Sequence, residues 1–284
     1  MSKSNRQGCA IPKENKAGSA KEDLNFREKP HELSHIKNVI GVFSGAGGVG
    51  KSLVTSMLAV MMRRERFRTA ILDADVTGPS ISMAFGLTRK PEIDDAGIFP
   101  ARTGIGIPIM SLNLPMKDGT DPVICRDSMI SDGVNQFWEK VMWGNMDYLF
   151  VDMPPGTGNV PPKVFRSLPL TGVIIVTSPQ ALVGMIAENA INMAEKMKIP
   201  VIALVENMSY IRCPDSESVH SVFGGSRIDK IAEKHGIDTV CRLPIDPELA
   251  SAVDSGTIEL FEGEELNSII IKLIRKEQML CESR

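Results

Sequence analysis

No two of the chain's five cysteines are close in sequence; they stand singly at positions 9, 125, 213, 241 and 281 of the 284 residues. That spacing excludes the cystine framework of a small secreted scaffold and fits reduced thiols in a cytosol. Uninterrupted apolar runs are also short. None reaches the roughly 18 residues of a membrane span, and no apolar stretch follows the charged start Met1-Ser2-Lys3-Ser4-Asn5-Arg6, so neither a spanning helix nor a secretory signal is expected. A charge excess is missing too. With 32 basic and 35 acidic residues the formal net charge is -3, too small to gather nucleic acid or an anionic membrane through a long-range field. The expectation is a soluble cytoplasmic protein with no nucleic-acid and no membrane partner, whose ligands are recognised at specific sites.

The length suffices for one large α/β core. Residues 1–37 are rich in Lys, Glu, Asn and Ser without helical or strand periodicity, and read as a flexible polar tail. Residues 38–284 read as a single domain. Within it, short β-branched runs (Val39 to Phe43, Thr69 to Leu72, Tyr148 to Val151, Val173 to Thr177, Val201 to Val205) alternate with helix-like stretches. Those stretches are Ser52 to Arg66, Ser128 to Trp143, Leu182 to Lys198 and Arg227 to His235, with apolar residues at three-to-four spacing. The pattern predicts an α/β fold with a doubly wound, mainly parallel sheet and helices on both faces. No internal repeat interrupts it. In such sheets ligands sit at the carboxyl ends of the strands, so the loops after Phe43, Leu72, Val151 and Val205 should share one crevice.

The first of those loops carries the strongest motif. Gly45-Ala46-Gly47-Gly48-Val49-Gly50-Lys51-Ser52 matches GxxxxGK[ST] between a predicted strand and a predicted helix, the context of a phosphate-binding loop. Its glycines let backbone amides turn toward phosphate oxygens, Lys51 neutralises the outer phosphates, and the Ser52 hydroxyl is a ligand for Mg²⁺. ATP and Mg²⁺ are the implied ligands. Asp152, at the end of an apolar run, is placed to hold Mg²⁺ directly or through water, and Asp75 to orient an attacking water. Strand-end aspartates also cap helices, which leaves Asp73 open between the two roles.

The loop's Gly-Gly-Val spacing, Asp73-Ala74-Asp75 with Gly78-Pro79-Ser80, and Val151-Asp152-Met153-Pro154-Pro155-Gly156-Thr157-Gly158 together resemble the MinD/ParA-like deviant-Walker ATPases. Within that group, Thr177-Ser178-Pro179-Gln180, Glu206-Asn207-Met208-Ser209-Tyr210 and Leu243-Pro244-Ile245-Asp246 resemble the Mrp/ApbC iron-sulfur cluster carriers, from about Ile36 to Phe261. The resemblance implies a homodimer enclosing two ATP molecules, with weak hydrolysis and a bridging [4Fe-4S] cluster that is handed to apo iron-sulfur proteins. It implies that Asp75 and Lys51 are catalytic and that Asn207 contacts adenine; by turn chemistry alone Asn207 also reads as a strand-end turn residue.

Two positions depart from the pattern. Relatives carry a lysine early in the loop that reaches across the dimer to the partner's phosphates, where this chain has Ala46. A methyl group supplies no charge, so hydrolysis is expected to be slow. The cluster motif of relatives is Cys-x-x-Cys, and here it reads Cys213-Pro214-Asp215-Ser216. Two copies of Cys213 leave two of four cluster positions for Cys9, an exogenous thiol, or oxygen ligands such as Asp215 or Ser216. A cluster-free ATP-gated switch that docks a protein partner is the alternative. Cys125 and Cys241 sit in apolar surroundings and read as core residues. Met57, Met61 and Met62, and Met193 with Met197, read as core filling. The four histidines, His31, His35, His220 and His235, show no paired metal-ligand spacing and read as surface residues.

Overall fold

The computed structural model describes residues 29–76, 78, 80–89, 91–111, 127–213 and 218–282. Cys9, Cys125, Asp215 and Ser216 lie outside the described residues. The chain opens with β1 (His35–Phe43) and α1 (Lys51–Arg64), then β2 (Thr69–Asp73) and one helical turn, α2 (Ser80–Ala84). A small hairpin of β3 (Glu92–Asp94) and β4 (Gly97–Phe99) leads into β5 (Ala101–Arg102) and β6 (Pro108–Ser111). Next come α3 (Asp127–Lys140), β7 (Asn145–Asp152), α4 (Val160–Ser167), β8 (Gly172–Thr177), α5 (Ala181–Lys196) and β9 (Val201–Arg212). The last elements are β10 (Val219–His220), α6 (Ile228–Lys234), β11 (Val240–Pro244), α7 (Pro247–Asp254) and α8 (Asn267–Glu282).

The expected doubly wound sheet is present. Its order is β10-β9-β8-β1-β7-β2-β6-β5, with β11 also paired to β9. Pairings are parallel except β5 with β6 and β9 with β10. Every residue of β2 and β8 is buried, as the continuous apolar runs require of strands covered on both faces. One face packs Leu58, Met62, Ile81, Leu249, Ile269 and Leu273, from α1, α2, α7 and α8, over the strands. The other packs Val134, Phe137, Val164, Ile191 and Ile231, from α3 to α6. Met57, Met61 and Met62 fill the first core together with Cys241, and Met193 and Met197 pack against the second, all as expected.

Two boundaries differ from expectation. The polar segment through Lys37 overlaps the first strand, because backbone pairing and ion pairs hold residues that no apolar pattern marks. His35 pairs with Asn145, Ser34 Oγ donates to Val141 O at 3.1 Å, and Lys37 bridges Asp147 at 2.8 Å and Glu277 at 3.0 Å. At the other side of the sheet β9 does not stop near Val205. It runs for 12 residues to Arg212, paired with β11 and then with β10, so Asn207 lies within a strand and not in a turn after one. Among the described residues no helix is long and apolar enough to cross a membrane.

A buried phenol is among the groups that tie the terminal helix to the sheet. Tyr148 on β7 donates its hydroxyl to Leu273 O at 2.9 Å while its ring stacks on Phe150, centroids 6.1 Å apart. Tyr148→Phe keeps the ring and removes the donor, and is expected to cost about 1 kcal/mol of stability. Urea unfolding with an unchanged midpoint would show that the bond contributes nothing.

Candidate functional site

β1 delivers the chain into a loop whose shape only glycine permits. Gly48 and Gly50 take φ of 76° and 86°, in the left-handed region, and turn the backbone back into α1. A Cβ at Gly47 or Gly48 would meet nothing within 4 Å, so this stretch of the loop is open. Gly45 is the opposite case, since a Cβ there would stand 2.4 Å from Ile186 Cγ2 and 2.5 Å from Ile186 O on α5. Ser44 Oγ donates to Ala46 O at 2.8 Å, and Gly156 N donates to Ser44 O at 2.9 Å, tying the loop to the segment after β7. Val49 buries its side chain in the core. α1 begins without a capping side chain or an acidic residue in its first turn, which suits its N-terminus to an anion.

Three strands end at the same level beside this loop. In register, Val42 on β1 faces Asp152 on β7, which faces Asp73 on β2. Lys51 projects from the first turn of α1 into that corner and is 5% exposed. Its Nζ lies 2.6 Å from Asp152 Oδ1 and 3.0 Å from Asp75 Oδ2. Ser52 Oγ donates to Asp152 Oδ2 at 2.5 Å, and Thr55 Oγ1 to Asp152 Oδ1 at 3.2 Å. Desolvation works against the Lys51 charge, but Asp152 and Asp75 outweigh it and hold its pKa above the ordinary lysine value. For Asp152 burial is the largest influence and raises the pKa, with the Lys51 ammonium opposing. Asp73 is different: burial, then the neighbouring Asp152 charge, push it up to about 8. The corner thus holds three acidic side chains, Asp73, Asp75 and Asp152, near one ammonium. Asp73 Oδ1 accepts from Asp75 N at 3.0 Å, and Ser111 Oγ lies 2.6 Å from Asp73 Oδ2, so Asp73 shapes the turn that carries Asp75 and caps no helix.

Asn207 reaches the loop from β9. Its Nδ2 donates to Val49 O at 3.0 Å, so close to Gly50 that a Cβ there would lie 2.1 Å from it. The next residue, Met208, has φ of 56°, and between Arg242 and Pro244 the β9/β11 register slips. Beside it, buried Glu206 accepts from Ser209 Oγ and Ser226 Oγ, both at 2.6 Å, fixing the strand to the loop before α6. The strand then carries Cys213, half-buried, to the hairpin with β10, where Cys213 N donates to Ser218 O at 3.1 Å.

The fold thus gathers residues 45–52, Asp75, Asp152 and Asn207 in one corner and sets Cys213 apart, just beyond the end of the strand that carries Asn207. Thr55, Ser111 and Glu206 were not singled out in the sequence. Thr55 was detectable, being one helical turn beyond Lys51 on the same face; Ser111 and Glu206 depend on strand neighbours that no local pattern reveals.

The fold and the loop define a P-loop NTPase of the MinD/ParA type. A nucleotide-binding protein of Archaeoglobus fulgidus, solved in complex with ADP, superposes with a TM-score of 0.74 and 37% identity, over 81% of this chain and 91% of that one. The cell division ATPase MinD of Pyrococcus furiosus shares the fold at a TM-score of 0.58 and 16% identity, over 86% and 99% of the two chains. Residues 35–277 match the NUBPL iron-transfer P-loop NTPase family, and the chain belongs to it. Relatives named iron-sulfur cluster carrier protein include one from Clostridium perfringens, 38% identical over 247 residues (84% of this chain, 87% of that one). Another, from Methanocaldococcus jannaschii, is 36% identical over 263 residues, 90% of each chain.

Gly50→Ala tests the corner without touching a charge. Both the left-handed φ and the Asn207 contact resist a Cβ, and strain of about 1–3 kcal/mol should weaken nucleotide binding roughly 5- to 150-fold in calorimetry. Wild-type affinity in that variant would show that the loop conformation described here is not the one that binds.

Proposed function

We propose that the chain is an ATP-binding iron-sulfur cluster carrier, acting as a cytoplasmic homodimer that passes clusters to apo iron-sulfur proteins. One observation carries the reading: a single strand, β9, contacts the phosphate loop through Asn207 and presents Cys213 on an exposed hairpin. Family membership and the names of the relatives support it.

In this reading the loop from Gly45 through Ala46, Gly47, Gly48, Val49, Gly50, Lys51 and Ser52 holds the triphosphate of ATP. The open space over Gly47 and Gly48 and the uncapped α1 fit such a group. Lys51, now neutralised by two carboxylates, exchanges them for phosphate oxygens. Asp152 and Ser52, already hydrogen-bonded to one another, offer the hard oxygen donors that Mg²⁺ prefers. When bound, Mg²⁺ neutralises phosphate charge. Asp75 orients the attacking water, and Asn207 turns its carboxamide to adenine from the strand that borders the loop. Hydrolysis is slow because Ala46 provides no cation to the partner's phosphates. Cys213 is the cluster-binding thiolate, and the cluster is cargo.

Reconstitution of the full chain with ferrous iron and sulfide under anaerobic conditions is expected to give bound iron and a thiolate-to-iron absorption band, both lost in Cys213→Ala. Absence of iron from the wild-type protein would reject the carrier reading in favour of a cluster-free, ATP-gated docking switch. Ala46→Lys should raise the ATPase rate at least about tenfold, since cations at the transferring phosphoryl group are worth more than that in related reactions. A dimer with an unchanged rate would show that this position does not face the partner's phosphates.

A further inference from the structure

We propose that His220 is the second cluster ligand supplied by each subunit, so that the bridging cluster is held by two thiolates and two imidazoles. The proposal rests on the carrier reading and deepens it. An iron-sulfur cluster takes four protein ligands, and Cys213 from two subunits supplies two.

The hairpin places the missing donor. β10 pairs with β9 so that Val219 stands opposite Arg212 and His220 opposite Ile211. The bond from Cys213 N to Ser218 O extends the ladder by one step, setting Ser218 opposite Cys213. Opposite residues of an antiparallel ladder project to the same face, as do residues two apart along one strand. Ile211, Cys213, Ser218 and His220 therefore share a face. On it Cys213 and His220 are diagonal neighbours, positions that in such ladders lie about 7–8 Å apart and within reach of long and aromatic side chains.

The direction of the ring is a separate observation. His220 Nε2 lies 3.3 Å from Ser218 Oγ, so the imidazole leans back along β10 toward the residue that stands across from Cys213. His220 is exposed and Cys213 half-buried, which leaves both open to a ligand at the hairpin surface. Exposed Ile211 lies on the same face, and exposed Val222 and Phe223 follow His220 in the chain. A second copy closing over the hairpin would cover these apolar side chains and keep water from the cluster.

Imidazole suits iron, and histidines take two of the four ligand positions in Rieske centres. Exchanging two thiolates for two neutral imidazoles removes two negative charges from the cluster's surroundings. The cluster is then easier to reduce than one held by four thiolates, and the weaker donors suit cargo that must be surrendered.

The test uses the full chain reconstituted anaerobically with ferrous iron and sulfide, in wild type, His220→Ala and His220→Cys. His220 is exposed, and circular dichroism of each variant checks the fold. In the wild type, pulsed electron paramagnetic resonance of the reduced cluster should show strong nitrogen coupling. His220→Cys should retain iron while losing that coupling and lowering the midpoint potential. His220→Ala should retain iron at least about tenfold less well, since loss of even an outer partner of a ligand costs that much. A wild-type cluster without nitrogen coupling, together with full iron retention in His220→Ala, would overturn the role of His220 and leave the carrier reading standing. A wild-type protein that binds no iron would remove both.

Discussion

The nucleotide end of the sheet is organised around one buried ammonium. A lysine taken out of water without a partner is costly, and Lys51 is kept charged by Asp152, at the end of β7, and Asp75, two residues beyond the end of β2. Their meeting follows from the sheet. β1, β7 and β2 are parallel neighbours in register, so their carboxyl ends lie side by side and the groups that terminate them converge. Asp73 is the third carboxyl in the same corner, and a single cation does not balance three. Burial and the neighbouring Asp152 charge shift Asp73 toward its protonated form.

The same clamp sets two carboxylates against one ammonium. Asp152 is also tied to α1 through Ser52 and Thr55. Ala46, packed partly buried against the core, adds no cation to this corner.

Much of this was legible in the sequence, for reasons that explain what was not. The strands ending at Phe43, Asp73 and Asp152 announce themselves because central parallel strands are apolar throughout, and the loop because glycine spacing is dictated by backbone geometry. The Lys51–Asp152 pair spans 101 residues and exists only through strand order, yet each member was identifiable from its position at an element's end. β9 was cut short at Val205 because the residues beyond it, Glu206-Asn207-Met208-Ser209, are held by hydroxyl-to-carboxylate bonds and backbone pairing, which leave no apolar trace. The first strand was begun late at Val39 for the same reason, as Lys37 and Asn38 are fixed by Asp147. His220 looked like an ordinary surface residue, since only the hairpin fold brings it diagonal to Cys213.

The irregularity at Met208 has a consequence for how this protein can change. Where β11 advances from Arg242 to Pro244, β9 advances from Glu206 to Tyr210, spending four residues against two. Surplus of this kind bends a strand and re-aims the side chains on either side of it. Asn207, whose Nδ2 bonds Val49 O, falls inside this irregular stretch, and Cys213 follows Tyr210 by three residues. Deleting the surplus residues would shift everything beyond Tyr210, Cys213 included, relative to Asn207.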